Sequence, residues 1–170
     1  GTYFNGYAYN VGIPSYELGA EGGKQGIWGL NASYQQIPRY QFDDTKFIFD
    51  GLGGSRLTLP AGYPGLAGQP PTQSAAIDPY LHEYDVDTKR DILKVGGKAS
   101  LGYGFDVSIS YRQDDRDGSK LVGAVMGNSG GNPRSVIVPY PISDKTQQIE
   151  AAVHWSSKDA QATLAYWYSR

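Results

Sequence analysis

Phe105-Asp106-Val107-Ser108-Ile109-Ser110-Tyr111-Arg112 alternates without error: every odd residue is apolar and every even one is polar. A second stretch, Gln147-Gln148-Ile149-Glu150-Ala151-Ala152-Val153-His154-Trp155, again puts its apolar set on odd positions. A period of two means a β-strand with two unlike faces. The same phase runs through neighbouring segments. Trp28, Leu30, Ala32 and Tyr34 share one face, as do Leu93, Val95, Gly97, Ala99 and Leu101, and Ala162, Leu164, Tyr166 and Tyr168.

Working outward, the chain reads as about seven strands. They fall at 2–10, 15–21, 27–36, 87–101, 105–116, 144–156 and 160–170. Short glycine-rich or polar turns are expected at 22–26, 102–104 and 157–159. Long loops are expected at 38–82, which contains Gly51-Leu52-Gly53-Gly54-Ser55 and Gly68-Gln69-Pro70-Pro71, and at 117–143, which contains Gly127-Asn128-Ser129-Gly130-Gly131-Asn132-Pro133. Such long connections are unusual in a compact soluble domain. No segment has a helical period.

Alternation alone does not separate a membrane barrel from a soluble β-sandwich, since each has one apolar face. Three features decide for the barrel. Strands four to seven run about 10–14 residues against a usual 5–6. Short and long connections alternate, as in outer-membrane barrels. Aromatic residues sit at strand ends in the apolar phase: Trp28, Phe105 and Trp155 beside short turns, and Tyr34, Tyr111, Tyr166 and Tyr168 at the opposite ends. That is the pattern of two girdles around an apolar band, with Val107 and Ile109 facing lipid between them. The expected fold class is all-β, an antiparallel transmembrane β-barrel wall.

Composition removes other classes. The 170 residues carry a net charge of -2, which gives no basic surface for nucleic acid. There is no cysteine, hence no disulfide, no Cys-based metal centre and no covalent haem attachment in this chain. Mean hydropathy is -0.46, and no apolar run is long enough for a helical membrane span. The 14 tyrosines and 23 glycines suit strands, turns and interfaces. Gly1-Thr2-Tyr3-Phe4 already reads as strand, and Leu164 to Arg170 is a strand that stops abruptly. Both ends read as cut, so the chain is expected to be part of a larger barrel.

The polar faces hold the candidate contact residues. Lys94, Lys98, Asp106, Arg112, Glu150, His154 and Gln161 lie off the apolar phase and would line a lumen, either as a solvated wall or as partner contacts. His82 and His154 are the two histidines, and nothing in the sequence makes ligands converge on either. Asp114-Asp115-Arg116-Asp117 reads as a solvated bend, with only a weak calcium-like pattern. Gly51 to Ser55 lacks the lysine and following helix of a phosphate loop. No catalytic set is recognisable, so no enzyme is expected.

Three segments resemble one family. Gly26-Ile27-Trp28-Gly29-Leu30, followed by Tyr34-Gln35-Gln36-Ile37-Pro38-Arg39-Tyr40, is similar to a Trp-containing strand with a Tyr-x-x-Ile-Pro exit. Phe49 to Ala61 carries a G-x-G and an L-T-L-P-A loop, and Val138-Pro139-Tyr140-Pro141-Ile142-Ser143-Asp144-Lys145-Thr146 is similar to an L-P-x-P-I-D-Y-x-T strand entry, with Ser143-Asp144 departing from the usual order. Together they resemble the MtrB/PioB family of outer-membrane barrels, which partner decahaem c-type cytochromes. The resemblance spans roughly residues 26 to 170 and suits the family's N-terminal part.

The resemblance implies a sheath in the bacterial outer membrane that holds a periplasmic multihaem c-type cytochrome for electron transfer. It further implies an extracellular multihaem cytochrome as a second partner, membrane lipid around the wall, and haem carried by the partner, with none in this chain. The competing readings are a solute-conducting porin or uptake barrel and a soluble carbohydrate-binding β-sandwich.

Overall fold

The computed structural model describes residues 1–63, 76–129 and 132–170. Seven strands are formed among them: β1 (Thr2–Tyr9), β2 (Tyr16–Lys24), β3 (Trp28–Phe47), β4 (His82–Gly102), β5 (Phe105–Ser129), β6 (Asn132–Ser156) and β7 (Gln161–Ser169). They form a single sheet in the order β1-β2-β3-β4-β5-β6-β7, so each strand pairs with its neighbour in sequence. A meander of this kind is the local wiring of an up-and-down barrel wall. Among the described residues there is no second sheet, as a sandwich would need, and no helix long and apolar enough to cross a membrane, a test that says nothing about β-barrels.

The turns are fixed by local chemistry. Between β4 and β5 only Tyr103 and Gly104 are left out of the ladder, with φ of 51° and 81°. Two successive positive φ values make the type I′ hairpin that matches strand twist. A Cβ at Gly104 would lie 1.9 Å from the Ser156 carbonyl oxygen, so the close approach of β6 admits only glycine. Between β6 and β7, the Ser157 amide donates to the Ala160 carbonyl at 2.8 Å, and the Ala160 amide donates to Ser157 Oγ at 3.1 Å. The turn expected at 22–26 lies instead at residues 25–27. Gly22, Gly23 and Lys24 stay in β2, opposite Leu30, Gly29 and Trp28, because pairing satisfies their backbone groups.

Of the two expected loops, 117–143 is strand at every described residue, whereas 38–82 is strand only at its ends. The segment 38–82 begins as the last part of β3 and ends as the first residue of β4. The segment 117–143 is absorbed by β5 and β6, each 25 residues long. Glycine misled the reading there: Gly118 and Gly127 have φ of 133° and 102°, and bulge-like positions of that kind sit inside strands. Pro139 and Pro141 lie within β6. Gly68-Gln69-Pro70-Pro71 and Gly130-Gly131 lie outside the described residues.

By contact density the chain divides into two units. The first comprises Gly1–Pro38, Lys89–Arg116 and Asp144–Arg170. The second comprises Arg39–Thr88 and Asp117–Ser143. The second unit holds most of the buried apolar side chains: Phe47, Phe49, Val86 and Ile142. Phe47 meets the Tyr84 ring edge-on at 6.3 Å, and an Asp50–Thr58 bridge orders the G-x-G turn. The first unit buries almost nothing, and the candidate site lies there.

Candidate functional site: two unlike faces of one sheet

In the first unit, cross-strand pairing puts the apolar residues of every strand on one face. Ile149 lies opposite Tyr168, Ala151 opposite Tyr166, Val153 opposite Leu164 and Trp155 opposite Ala162. Leu18 pairs with Tyr34, Ala20 with Ala32 and Gly22 with Leu30. A Cβ built on Gly97 would touch Leu30 and Ile109, which ties β4 and β5 to the same face. Much of this face is open: Leu30 and Ile109 are each 60% exposed and Leu164 is 77% exposed. A soluble sheet would bury such a face.

The aromatic residues bound the apolar face. At the short-turn end the Phe105 and Trp155 rings lie 6.3 Å apart. At the other end Tyr16 and Tyr34 lie 5.8 Å apart, and Tyr34 donates to Asp91 Oδ1 at 2.8 Å. Tyr111 donates to Gln113 at 2.9 Å and accepts from Gln147 at 2.9 Å. Beyond these tyrosines the same face turns polar, with Lys89 paired to Asp91 at 3.0 Å and Lys145 to Asp115 at 3.7 Å. The apolar band therefore covers about 93–101 on β4 and 105–111 on β5.

The opposite face is polar and carries the candidate contact residues. Lys98, Asp106 and His154 come together, with Tyr3, Ser100 and Ser108, around an open cleft of about 550 Å3. The Lys98 side chain lies across Gly29, where an added Cβ would meet its Cε at 3.3 Å and the Tyr3 hydroxyl at 3.3 Å. His154 Nδ1 is 2.8 Å from Thr163 Oγ1, which holds the ring. Glu150 pairs across the ladder with Trp167, an aromatic on the polar face that the alternation of Tyr166 and Tyr168 had obscured. Lys94 is exposed between Arg90 and Lys98 on the same face of β4, so this strand presents three cations at every fourth residue. Arg112 is not in the cleft; it reaches Asp114 at 3.1 Å.

The Asp114 to Asp117 run is strand, not bend. Its alternate residues go to opposite faces, so it does not converge on a cation. Asp114 accepts from Arg90 Nε and Nη2 at 2.6 and 2.5 Å on the polar face, while Asp115 accepts from Gln113 on the other. These groups lie past the apolar band. The Arg90 hydrogen bonds, then those of Arg112, hold the Asp114 carboxyl below its ordinary value against the opposing effect of partial burial. Arg90 and Asp114 were missed as a site because their pairing spans 24 residues of sequence, although continued alternation past Arg112 was a usable signal. His82 pairs with Asp50 at 3.1 Å, and no metal-holding group of His, Cys, Asp or Glu occurs among the described residues.

This geometry matches what the chain is similar to. The family model for MtrB/PioB outer-membrane β-barrel porins matches residues 1–170. Outer membrane protein MtrB of Shewanella baltica (strain OS185) is 24% identical over 172 residues, covering 97% of this chain and 24% of that protein. The chain thus spans about a quarter of the length of the curated relative it matches. One uncovered apolar face, one polar face and an antiparallel meander are what a segment of such a wall requires, and the chain belongs to the MtrB/PioB family of outer-membrane β-barrel porins.

Proposed function

We propose that this chain supplies seven consecutive strands of a larger barrel that sheathes a multihaem c-type cytochrome, so that electrons cross the outer membrane along the partner's haems. The observation that carries the reading is that neither face of the first unit is covered by its own chain, and that the two faces demand different neighbours. The apolar face takes lipid. The polar face takes water or a polar macromolecule, and its relief favours the macromolecule. Ser100, Ser108 and Ser110 are small side chains on this face of β4 and β5, which lets a folded partner approach the sheet closely.

The chain's own residues do no redox chemistry. They exclude lipid, supply charge and close the wall, and the haem partner carries the electrons. Lys94 and Lys98 complement carboxylates on the partner, with Asp106, Arg112, Glu150 and His154 setting the register of contact. An extracellular multihaem cytochrome would be the second partner, at the far mouth. The porin reading shares the polar face but leaves the lumen water-filled. Purification of the full-length barrel from its native host in mild detergent separates the two. A c-type haem spectrum that co-migrates with the barrel supports the sheath; a haem-free barrel that conducts ions overturns it.

A further inference from the structure

The cleft on the polar face holds charges that the wall itself does not use. It opens beside the short turn at 25–27 and runs across the sheet from Trp28 of β3, past Lys98 of β4 and Asp106 of β5, to His154 of β6. Lys24 lines it from the end of β2. Each of these strands is paired on both sides, so the cleft does not depend on a sheet edge. Small residues keep it open: Ser100, Ser108 and Ala152 line it between the charged ones, and Gly29 leaves room for the Lys98 stem. Among the described residues the side chains of Lys24, Lys98 and Asp106 make no hydrogen bond or ion pair. By contrast, Arg90, Arg112 and Asp114 on the same face satisfy one another.

We propose that this cleft seats an extended acidic segment of the haem-bearing partner, at the periplasmic mouth of the barrel. The inference rests on the sheath reading and gives it a specific contact. Charge, polarity and length select the occupant. Two ammonium groups against one carboxylate leave the cleft net positive, which favours carboxylates. Asp106 and the serine hydroxyls accept hydrogen bonds, so the occupant must also donate. A peptide does both, through acidic side chains and backbone N–H groups. A small inorganic anion brings mostly acceptors, and Asp106 repels it. The cleft crosses four strands, β3 to β6, which is three spacings of about 4.8 Å, or roughly 14 Å. That is the length of about four residues of extended chain at about 3.4 Å each. The volume of about 550 Å3 lies in the range of ligand-binding sites. No metal-holding group of His, Cys, Asp or Glu occurs among the described residues to suggest an ion instead. The short turns place this end on the periplasmic side.

Photo-cross-linking tests the seat. A benzophenone side chain is placed at position 108 of the full-length barrel, or at position 100 if that variant fails to assemble. The barrel is isolated from its native host in mild detergent, irradiated and digested, and the cross-linked peptide is read by mass spectrometry. The cross-link should fall in a stretch of the haem protein that carries two or more carboxylates within about four residues, the length set by the strand spacing. The same group at position 164, on the apolar face, should not reach the haem protein. Lys24→Gln combined with Lys98→Gln should lower the cross-link yield about fivefold, the effect of two solvent-exposed ion pairs. Co-migrating haem should persist in that variant, because the rest of a large interface still holds the partner. With haem still co-migrating, an unchanged yield, or a cross-link to a stretch without carboxylates, overturns the seat and leaves the sheath standing. An unsubstituted barrel that carries no haem protein overturns both.

Discussion

Arg90 grips Asp114 through two hydrogen bonds, Nε to Oδ1 at 2.6 Å and Nη2 to Oδ2 at 2.5 Å, and so ties β4 to β5 on the polar face. The bidentate fork fixes both side chains in one plane. Arg112 adds a third donor from two residues along β5. The Asp114 side chain is 13% exposed and Arg90 is 49% exposed, so solvent weakens but does not remove the attraction.

Asp114→Asn should cost about 1 kcal/mol, the upper end for a partly exposed pair, because two guanidinium groups then face each other without a countercharge. The pH dependence follows in sign. The folded Asp114 carboxyl titrates below its unfolded value. Its contribution is present above the ordinary carboxylate pKa of about 4 and is lost as pH falls through the lower folded value. Urea unfolding of the detergent-held barrel between pH 3 and 7 should show wild type losing this increment in acid. The Asn variant should lack that part of the slope.

Val107 and Ser108 lie on opposite faces of β5. Val107→Arg should cost roughly 2–4 kcal/mol if the residue lies near the bilayer midplane, and Ser108→Arg should be much milder. Folding into lipid vesicles measures both. Spin labels give an independent check: water access at 107 and 109 with lipid access at 106 and 108 would reverse the assigned phase.

Gly104→Ala should cost about 2 kcal/mol or more, since φ is 81° and the new Cβ would strike the Ser156 carbonyl. Tyr103→Asn at the adjacent turn position should be neutral or slightly stabilising, because asparagine tolerates a φ of 51°. Heat-modifiable migration on gels ranks the two variants.

Epitope tags should map the topology. A tag in the G-x-G turn at 51–55 should be labelled on intact cells, and a tag in the turn at 157–159 should be labelled only after the outer membrane is opened. Labelling of the 157–159 tag alone on intact cells would invert the assignment.

Paired reversal of Lys94→Glu and Lys98→Glu should release the haem partner at lower salt than wild type. Charges at such contacts act through complementarity more than bulk affinity. Haem absorbance in each salt fraction from an immobilised full-length barrel reads the effect. Unchanged release would remove β4 from the contact.

The alternating pattern of 105–112 and 147–155 already fixed the faces, because a period of two leaves each side chain only two directions. Trp28, Phe105, Trp155 and Tyr34 were therefore legible as the bounds of an apolar band, and the tight turns were legible from glycine and polar residues. The family was legible from three spaced motifs. What sequence missed was strand length: 117–143 looked like loop because glycine and proline report local preference, whereas a neighbouring strand supplies the hydrogen bonds that override it. Convergence was likewise out of reach. Periodicity put Lys98, Asp106 and His154 on one face, but only cross-strand register set them around one cleft and left Arg112 with Asp114. Arg90 meets Asp114, and Phe4 and Leu30 stand either side of Gly22, because register is a property of paired strands. No single strand's sequence carries it: residue order sets the face each side chain takes, and strand pairing sets its neighbours on that face.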